Sequence, residues 1–205
     1  MGGSFDAGIY LSRASSVSLL ANSGTITGRN AAIQLDSNSY ISTITNSGLI
    51  AGDLTSASAI PLSIAGGSGN VFGTLTGASG GLGVADKGLI KVTGANLVFS
   101  GGNLLLNNDI AAVGRSVLNY GATLQINNPI TITGNYSQTG GGLAFNVVDT
   151  SSYGYLDVNG SAAISSAAKP RYGFISGSGK RASTRRPFGL LTNGMRIEAE
   201  RFLAE

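Results

Sequence analysis

Aspartates are the residues of this 205-residue chain best suited to acid–base chemistry, because the chain contains no histidine and no cysteine. Without those residue types, Ser-His and Cys-His couples and the usual zinc and copper sites lack their essential groups. Paired carboxylates can still cleave a glycosidic bond, although such sites usually include basic side chains and a cluster of acids. The candidates, which stand singly in the sequence, are Asp36, Asp53, Asp86, Asp109, Asp149 and Asp157.

The scattered positions of these aspartates favour a structural role. Residues 1–165 contain only five Lys and Arg, so a catalytic carboxylate would have few basic partners. Aspartate side chains also cap turns by accepting hydrogen bonds from nearby backbone N–H groups. We therefore expect turn-capping and solvation from the aspartates. We assign no catalytic, cofactor-binding or metal-ligating residue and predict that the chain is not an enzyme.

A glycine-rich stretch gives the closest match to a known ligand-binding motif. Residues 76–83, Thr-Gly-Ala-Ser-Gly-Gly-Leu-Gly, have the spacing of the phosphate-binding loop of short-chain dehydrogenases. That loop needs a strand before it and a long helix after it, whose N-terminus meets the pyrophosphate. Here residues 89–92 have a strand pattern, and no Tyr-x-x-x-Lys pair occurs in the chain. We predict a glycine-rich turn without a cofactor. A nucleotide-binding enzyme is the alternative only if residues 84–96 form a helix.

Metal, aromatic and nucleic-acid sites have weak signals. Residues 66–70, Gly-Gly-Ser-Gly-Asn, resemble a metal-binding turn but lack the aspartate that would supply charge. Tyr136, Tyr153 and Tyr155 could form an exposed binding stripe, but partial burial at the end of a β-structure is the favoured interpretation. The basic pairs near the C-terminus lack the interleaved aromatic residues that stack on bases. No metal and no nucleic-acid partner are therefore predicted.

The composition divides the chain near Ser165. Residues 1–165 carry no glutamate, five Lys and Arg, and seven Asp, whereas residues 166–205 carry eight Lys and Arg and three Glu. Over the whole chain 11% of residues are charged, 42% are hydrophobic and 32 are glycine. Charged residues normally make up about a quarter of a globular domain. The first part must therefore meet water with Ser, Thr and Asn, as repetitive β-proteins do.

No targeting or membrane-spanning segment is predicted. Asp6 precedes the first basic residue, Arg13, and the apolar cluster at residues 17–21 is too short for a secretion signal. No run approaches the roughly 20 apolar residues that a transmembrane helix needs. If the protein is exported, we expect its signal to lie outside these residues.

A short phrase recurs along the first part: a β-branched residue or leucine, a small residue, then glycine. The glycines lie on average 22 residues apart when a looser copy is included. The longer phrase Asn-Ser-Gly-x-Ile-x-Gly occurs at residues 22–28 and again at residues 46–52, where x is any residue. Such repeats are the sequence signature of stacked solenoid coils. The recurring glycines are Gly28, Gly52, Gly77, Gly94, Gly114, Gly134 and Gly160.

Within each repeat the local pattern is that of a strand. Apolar residues alternate with small or polar ones in segments such as 124–126 and 143–147, which gives one buried face. We predict an all-β fold, a right-handed parallel β-helix of seven turns. Asn22 and Asn46 are expected at equivalent corners, with their amides bonded between turns. An antiparallel sandwich or barrel is the alternative, because its strands also recur at short intervals.

Residues 129–165 carry a more specific pattern. Tyr136 and Gln138 are followed by Gly142-Leu143, by an alternating segment, and by Tyr-Leu-x-Val-x-Gly-x-Ala over residues 155–162. This segment resembles the C-terminal part of autotransporter passenger domains, the pertactin-like β-helices of Gram-negative surfaces. The resemblance implies a secreted rod displayed at the cell surface, with a junction region that starts its folding. It also implies an outer-membrane barrel in the full-length protein, which is not recognisable in these residues.

The expected function is that of a surface-exposed, structural or adhesin-like passenger fragment. Its partners would be host or bacterial surface ligands, without a small-molecule cofactor. The alternative is a carbohydrate-active β-helix enzyme of the lyase or glycosidase type. Residues 1–165 are predicted to be the passenger-like part. Residues 166–205 are predicted to be a basic tail, disordered or with a short helix over residues 193–205, and an out-of-frame or foreign ending is the leading explanation for it.

Overall fold

The computed structural model describes residues 7–147, 152–165 and 195–198, and nearly all its regular elements are strands. The only helix in these ranges is a single 3-10 turn at Val84–Asp86. The strands are β1 (Ala7–Leu11), β2 (Ser16–Asn22), β3 (Thr25–Thr27), β4 (Ala31–Leu35), β5 (Tyr40–Asn46), β6 (Leu49–Ala51), β7 (Leu54–Ser56), β8 (Leu62–Ala65), β9 (Gly73–Thr76), β10 (Gly88–Val92), β11 (Leu97–Gly101), β12 (Asn103–Leu106), β13 (Asn108–Asn119), β14 (Thr123–Ile126), β15 (Pro129–Gln138), β16 (Gly142–Phe145), β17 (Tyr155–Val158), β18 (Ala162–Ile164) and β19 (Met195–Glu198).

The strands form three parallel stacks, and the chain visits each stack in turn. The first stack contains β1, β4, β7, β10, β13, β15 and β17. The second contains β2, β5, β8, β11, the C-terminal halves of β13 and β15, and β18. The third contains β3, β6, β9, β12, β14 and β16. The predicted all-β fold with parallel neighbours is therefore confirmed, and the antiparallel sandwich or barrel is excluded.

Register between successive coils keeps apolar side chains in columns. Register places each residue over its counterpart in the neighbouring coil. Because side chains alternate between the two faces of a strand, every second pair lies on the buried face. Each fully buried aliphatic side chain contributes roughly 2 kcal/mol relative to exposure. In the first stack one column, whose members are each at most 1% exposed, contains Ile33, Leu54, Ile90, Ile110, Ile132 and Val158.

Buried amides bridge coils at the corner between the second and third stacks. The Asn22 Nδ2 group donates to Asn46 Oδ1 at 2.8 Å, and Asn46 Nδ2 donates to the Thr74 carbonyl at 3.1 Å. The prediction of stacked amides at equivalent corners is confirmed. Further along the second stack Tyr136 is buried, and its hydroxyl donates to Gln138 Oε1 at 2.8 Å.

The recurring glycines do not all occupy the same corner. The first three follow strands of the third stack, where the chain turns towards the first stack, and the last four lie between the first and second stacks. The short interval from Gly77 to Gly94 marks this change, so the average glycine spacing is not a coil length. Both corners need a residue without a side chain, because Gly52 and Gly134 have φ values of 133° and 138°. A Cβ atom on Gly134 would also lie 2.4 Å from the Ala112 carbonyl oxygen.

Residues 195–198 of the tail form a strand, which corrects the prediction of a helix or disorder at these four positions. Strand β19 pairs antiparallel with β17, and Ile197 is 4% exposed. The physical reason is the open edge of β17, which supplies backbone partners that a four-residue helix would lack. Residues 166–194 and 199–205 lie outside the described residues, so a foreign origin of the tail stays a prediction.

The amide bridge generates a stability prediction. We expect Asn46→Ala to lower the free energy of unfolding by about 2 kcal/mol, because it leaves a buried Asn22 N–H and the Thr74 carbonyl without their partner. Urea unfolding followed by circular dichroism measures the change. The matched control is Asn38→Ala at an exposed position, which should change stability by less than about 0.5 kcal/mol. Equal losses in both variants would contradict the role of the bridge.

Tyr136 makes the fold sensitive to alkali. Burial raises the pKa of Tyr136, opposed by its hydrogen bond with Asn119. Because the folded pKa lies above the unfolded value of about 10, the stabilisation is complete below that pH and is lost as the pH rises beyond it. We expect the free energy of unfolding to fall between pH 10 and 11, by at most about 1.4 kcal/mol per pH unit from this group. In Tyr136→Phe the fall should be smaller, and an unchanged slope would refute the assignment.

Candidate binding groove on the third strand stack

The third coil carries two loops that set it apart from its neighbours. Residues 66–72 connect β8 to β9, and residues 77–87 connect β9 to β10. The two loops therefore flank β9 on the outer face of the third stack. Insertions in a repeat protein collect on one face, which is often the binding face. These loops are the starting point for locating a functional site.

The loop of residues 77–87 is held together by its own polar groups. Ser79 Oγ donates to Asp86 Oδ1 at 2.7 Å, and the Gly83 N–H donates to Asp86 Oδ2 at 3.0 Å. The buried Thr76 hydroxyl contacts the Gly81 and Asp86 carbonyl oxygens. Asp86 thus caps this turn, as the sequence predicted for the aspartates. The hydrogen bonds of the Thr76, Ser79 and Asp86 side chains therefore give the loop a defined shape.

Two asparagines from later coils tether the same loop to the rod. Asn107 Nδ2 donates to the Gly83 carbonyl at 3.2 Å and to Thr76 Oγ1 at 3.0 Å. Asn128 Nδ2 donates to the Leu82 carbonyl at 2.7 Å and to Asn107 Oδ1 at 2.8 Å. The loop is therefore fixed to the two coils that follow it.

The loop of residues 66–72 is fixed by one residue of the fourth coil, Asn103. Its backbone exchanges hydrogen bonds with Gly67, at 2.8 Å and 3.1 Å, and its Nδ2 group donates to the Gly69 carbonyl at 2.7 Å. This stretch contains the turn that resembled a metal-binding sequence. Within the described residues no group of three acidic or other metal-ligating side chains occurs.

Between the two loops lies a shallow groove with a volume of about 490 Å³. Its floor contains Thr25, Leu49 and Thr74, which are in register across β3, β6 and β9. Phe72 comes from one loop and Leu82 from the other. The full lining contains Ser23, Gly24, Thr25, Ser47, Gly48, Leu49, Phe72, Thr74, Gly80 and Leu82.

The glycine-rich stretch that resembled a dinucleotide loop forms part of this groove and not a nucleotide site. It is followed by the single 3-10 turn at Val84–Asp86 and then by strand β10. A pyrophosphate site of that type needs the N-terminus of a long helix at this point. The nucleotide-binding alternative is therefore excluded, and the prediction of a glycine-rich turn is confirmed.

Three other aspartates lie along the first stack, away from the groove. Asp53, Asp109 and Asp157 share one outward column on alternate coils. Asp53 Oδ1 accepts from the Leu89 N–H at 2.9 Å, and Asp109 Oδ1 accepts from the Thr131 N–H at 2.9 Å. These carboxylates bridge one coil to the next, a structural use that the sequence prediction of local turn-capping did not specify.

Two of these carboxylates also form ion pairs. Lys87 Nζ lies 2.7 Å from Asp109 Oδ2, and Arg196 Nε lies 2.9 Å from Asp157 Oδ1. Both pairs are partly exposed, so each contributes at most about 1 kcal/mol. The Asp36 carboxylate accepts a hydrogen bond from the Tyr10 hydroxyl at 3.1 Å. Asp149 lies outside the described residues.

The three tyrosines considered as a binding stripe do not form one exposed surface. Tyr136 is buried in the core, whereas Tyr153 and Tyr155 are half-buried with their ring centroids 5.6 Å apart. The Arg196 guanidinium lies 4.1 Å from the Tyr155 ring centroid. The prediction of burial at the end of the rod is confirmed for these residues.

Comparisons with family models, with curated proteins and with solved structures found no match for this chain. Within the described ranges, no helix has the length and apolar character needed to cross a membrane.

Sequence analysis assigned no site residue and missed this groove. Phe72 and Leu82 belong to separate loops, and Leu49 belongs to the preceding coil. The available signal was the long interval between the buried strands β8 and β10, with glycine-rich segments on both sides of β9. Such an interval predicts two loops. Their position beside Thr25 and Leu49 can be known only from the register between coils.

The shape of the groove is expected to depend on Asp86. We expect Asp86→Ala to accelerate amide hydrogen exchange at Gly81 and Gly83 about tenfold, the effect of roughly 1.4 kcal/mol of lost local stability. Hydrogen exchange measured by NMR tests this, with Asp36→Ala as a matched loss of one carboxylate elsewhere. Exchange in this loop that is unaffected by Asp86→Ala would show that the carboxylate does not hold it.

Proposed function

We propose that this chain is a non-catalytic binding module displayed at a bacterial cell surface, the adhesin-like passenger part of an autotransporter. In this proposal its parallel coils wind in the right-handed sense of a β-helix. The resemblance over residues 129–165 supports the family, and the stacked parallel coils agree with the architecture that the resemblance implies. The protein then works outside the cell, and the full-length protein carries an outer-membrane barrel.

The observation that carries the proposal is the pair of loops by which the third coil differs from the coils on either side of it. The coils present outward Ser, Thr and Asn side chains on rigid strands, whereas the third coil adds two tethered loops and the groove between them. Rigid strands that support a shaped concave surface suit recognition of a partner, because little conformational freedom is lost on binding. Host or bacterial surface molecules are the proposed partners.

The positions of the carboxylates favour a binding role over a catalytic one. A lyase or glycosidase needs at least one carboxylate free to exchange a proton with its substrate. Asp53, Asp86 and Asp109 each accept hydrogen bonds from the backbone of their own or the next coil. Within the described part of the chain, no carboxylate lines the groove. These observations support the non-catalytic proposal.

A two-part experiment tests this function. Beads coated with the purified chain are expected to retain epithelial or bacterial cells, with saturation as the bead coating increases. The same protein, incubated with plant and bacterial polysaccharides, is expected to release no reducing ends and no unsaturated products. Beads coated with an unrelated protein of similar size and charge serve as the control. Cell retention no greater than the control would refute the proposed function, and released sugar would establish the carbohydrate-active alternative.

A further inference from the structure

We infer that the groove on the third stack binds a neutral saccharide chain that lies along the stacking direction of the coils. This inference rests on the proposed function and deepens it, because it assigns the chemical class of the surface ligand. Three properties of the groove carry it: the uncharged side chains of its described lining, the pairing of its central strands on both sides, and the mixture of hydroxyl groups with apolar side chains.

The lining of the groove excludes ligands that are recognised by charge. Among the residues that the structure describes, no Lys, Arg, Asp or Glu side chain lines it. Nucleic acids and sulfated or uronic-acid polymers depend on Lys and Arg for most of their affinity. A basic peptide would need carboxylates in the same way. The ligand that fits this lining is electrically neutral.

The pairing of β6 and β9 excludes an extended peptide bound as an added strand at the centre of the groove, whereas β3 is the end strand of its sheet among the described residues. Strand β6 is paired with β3 on one side and with β9 on the other, and β9 is paired with both β6 and β12. Peptide addition to a sheet needs an edge whose N–H and C=O groups are unpaired. The centre of the groove offers only side chains and glycine backbone to its ligand.

The chemistry of the lining matches the two kinds of surface on a sugar ring. The hydroxyls of Ser23, Thr25 and Thr74 make no hydrogen bond within the described part of the chain, so they are available to pair with sugar hydroxyls. Phe72 and Leu82 supply apolar surface for the C–H face of a ring. A purely aliphatic ligand would leave the hydroxyls without partners, which is costly once water is displaced.

The register of the floor sets the direction of the ligand. Thr25, Leu49 and Thr74 follow one another at the strand spacing of roughly 4.8 Å, so the groove runs across strands and spans three coils. A chain of sugar rings in this direction meets a hydroxyl, an apolar and a hydroxyl side chain in succession. Several rings must be bound together, so a monosaccharide should bind much more weakly than an oligomer.

Calorimetric titration of the whole chain tests this inference. The probes are neutral hexasaccharides of glucose, mannose, galactose and N-acetylglucosamine, with hexagalacturonate and an uncharged hexapeptide for comparison. We expect at least one neutral hexasaccharide to bind, and the two comparison probes not to bind. Leu82→Ala and Phe72→Ala should weaken that binding about tenfold, and Thr25→Val should weaken it about threefold. The control is Leu19→Ala, whose side chain is 55% exposed outside the groove, and it should change nothing.

Each outcome decides the inference. Circular dichroism first establishes that each variant is folded, and Leu82→Ala tests the groove at an exposed loop position if Phe72→Ala does not fold. No binding of any neutral hexasaccharide overturns the inference, as does binding that the groove variants leave unchanged or that the hexapeptide equals. If coated beads retain cells while no saccharide binds, the proposed function stands and this inference fails. If the beads also fail to retain cells, both fail.

Discussion

The parallel register between successive coils is the constraint on which the rest of the structure depends. Ile33 lies over Leu54, Leu54 over Ile90, and the same column continues through the last described coil. Because side chains alternate along a strand, a slip of one residue would turn each buried column towards water. The register also fixes the outward columns. The order of side chains along the groove floor is therefore set by the same pairing that builds the core.

The corners between stacks cost the most free energy, because the chain must turn there while its polar groups are buried. The Asn22 amide donates to Asn46 Oδ1, and the Asn46 amide donates in turn to the Thr74 carbonyl. The side chain of Asn119 both donates to and accepts from the backbone of Ala122. Asn108 is equally buried, but its amide nitrogen and oxygen have no partner among the described residues. Burial of an amide thus stabilises a corner only where the next coil or the turn itself supplies the matching group.

The sequence was sufficient to predict the parallel all-β architecture because its apolar alternation recurs along the coils and its Asn-Ser-Gly phrase repeats in the first two of them. It could not show that the glycine phrase serves two different corners, since any tight corner selects a small residue. The strand β19 could not be predicted either, because four residues are too few to show an apolar alternation. Its pairing also depends on the open edge of β17. The groove depends on contacts between different coils, which local patterns do not encode.

The groove could develop in this fold because each coil of a stack contacts only its two neighbours. A loop inserted between two strands need not disturb the core columns, provided that its polar groups find partners and its ordering entropy is offset. Asn103, Asn107 and Asn128 meet that requirement from the following coils, at positions where the backbone already fixes their side chains. The same polar residues that suit a low-charge surface thus support the two loops beside the groove. A rod of this kind can acquire recognition by lengthening one coil, while the neighbouring coils keep the floor in place.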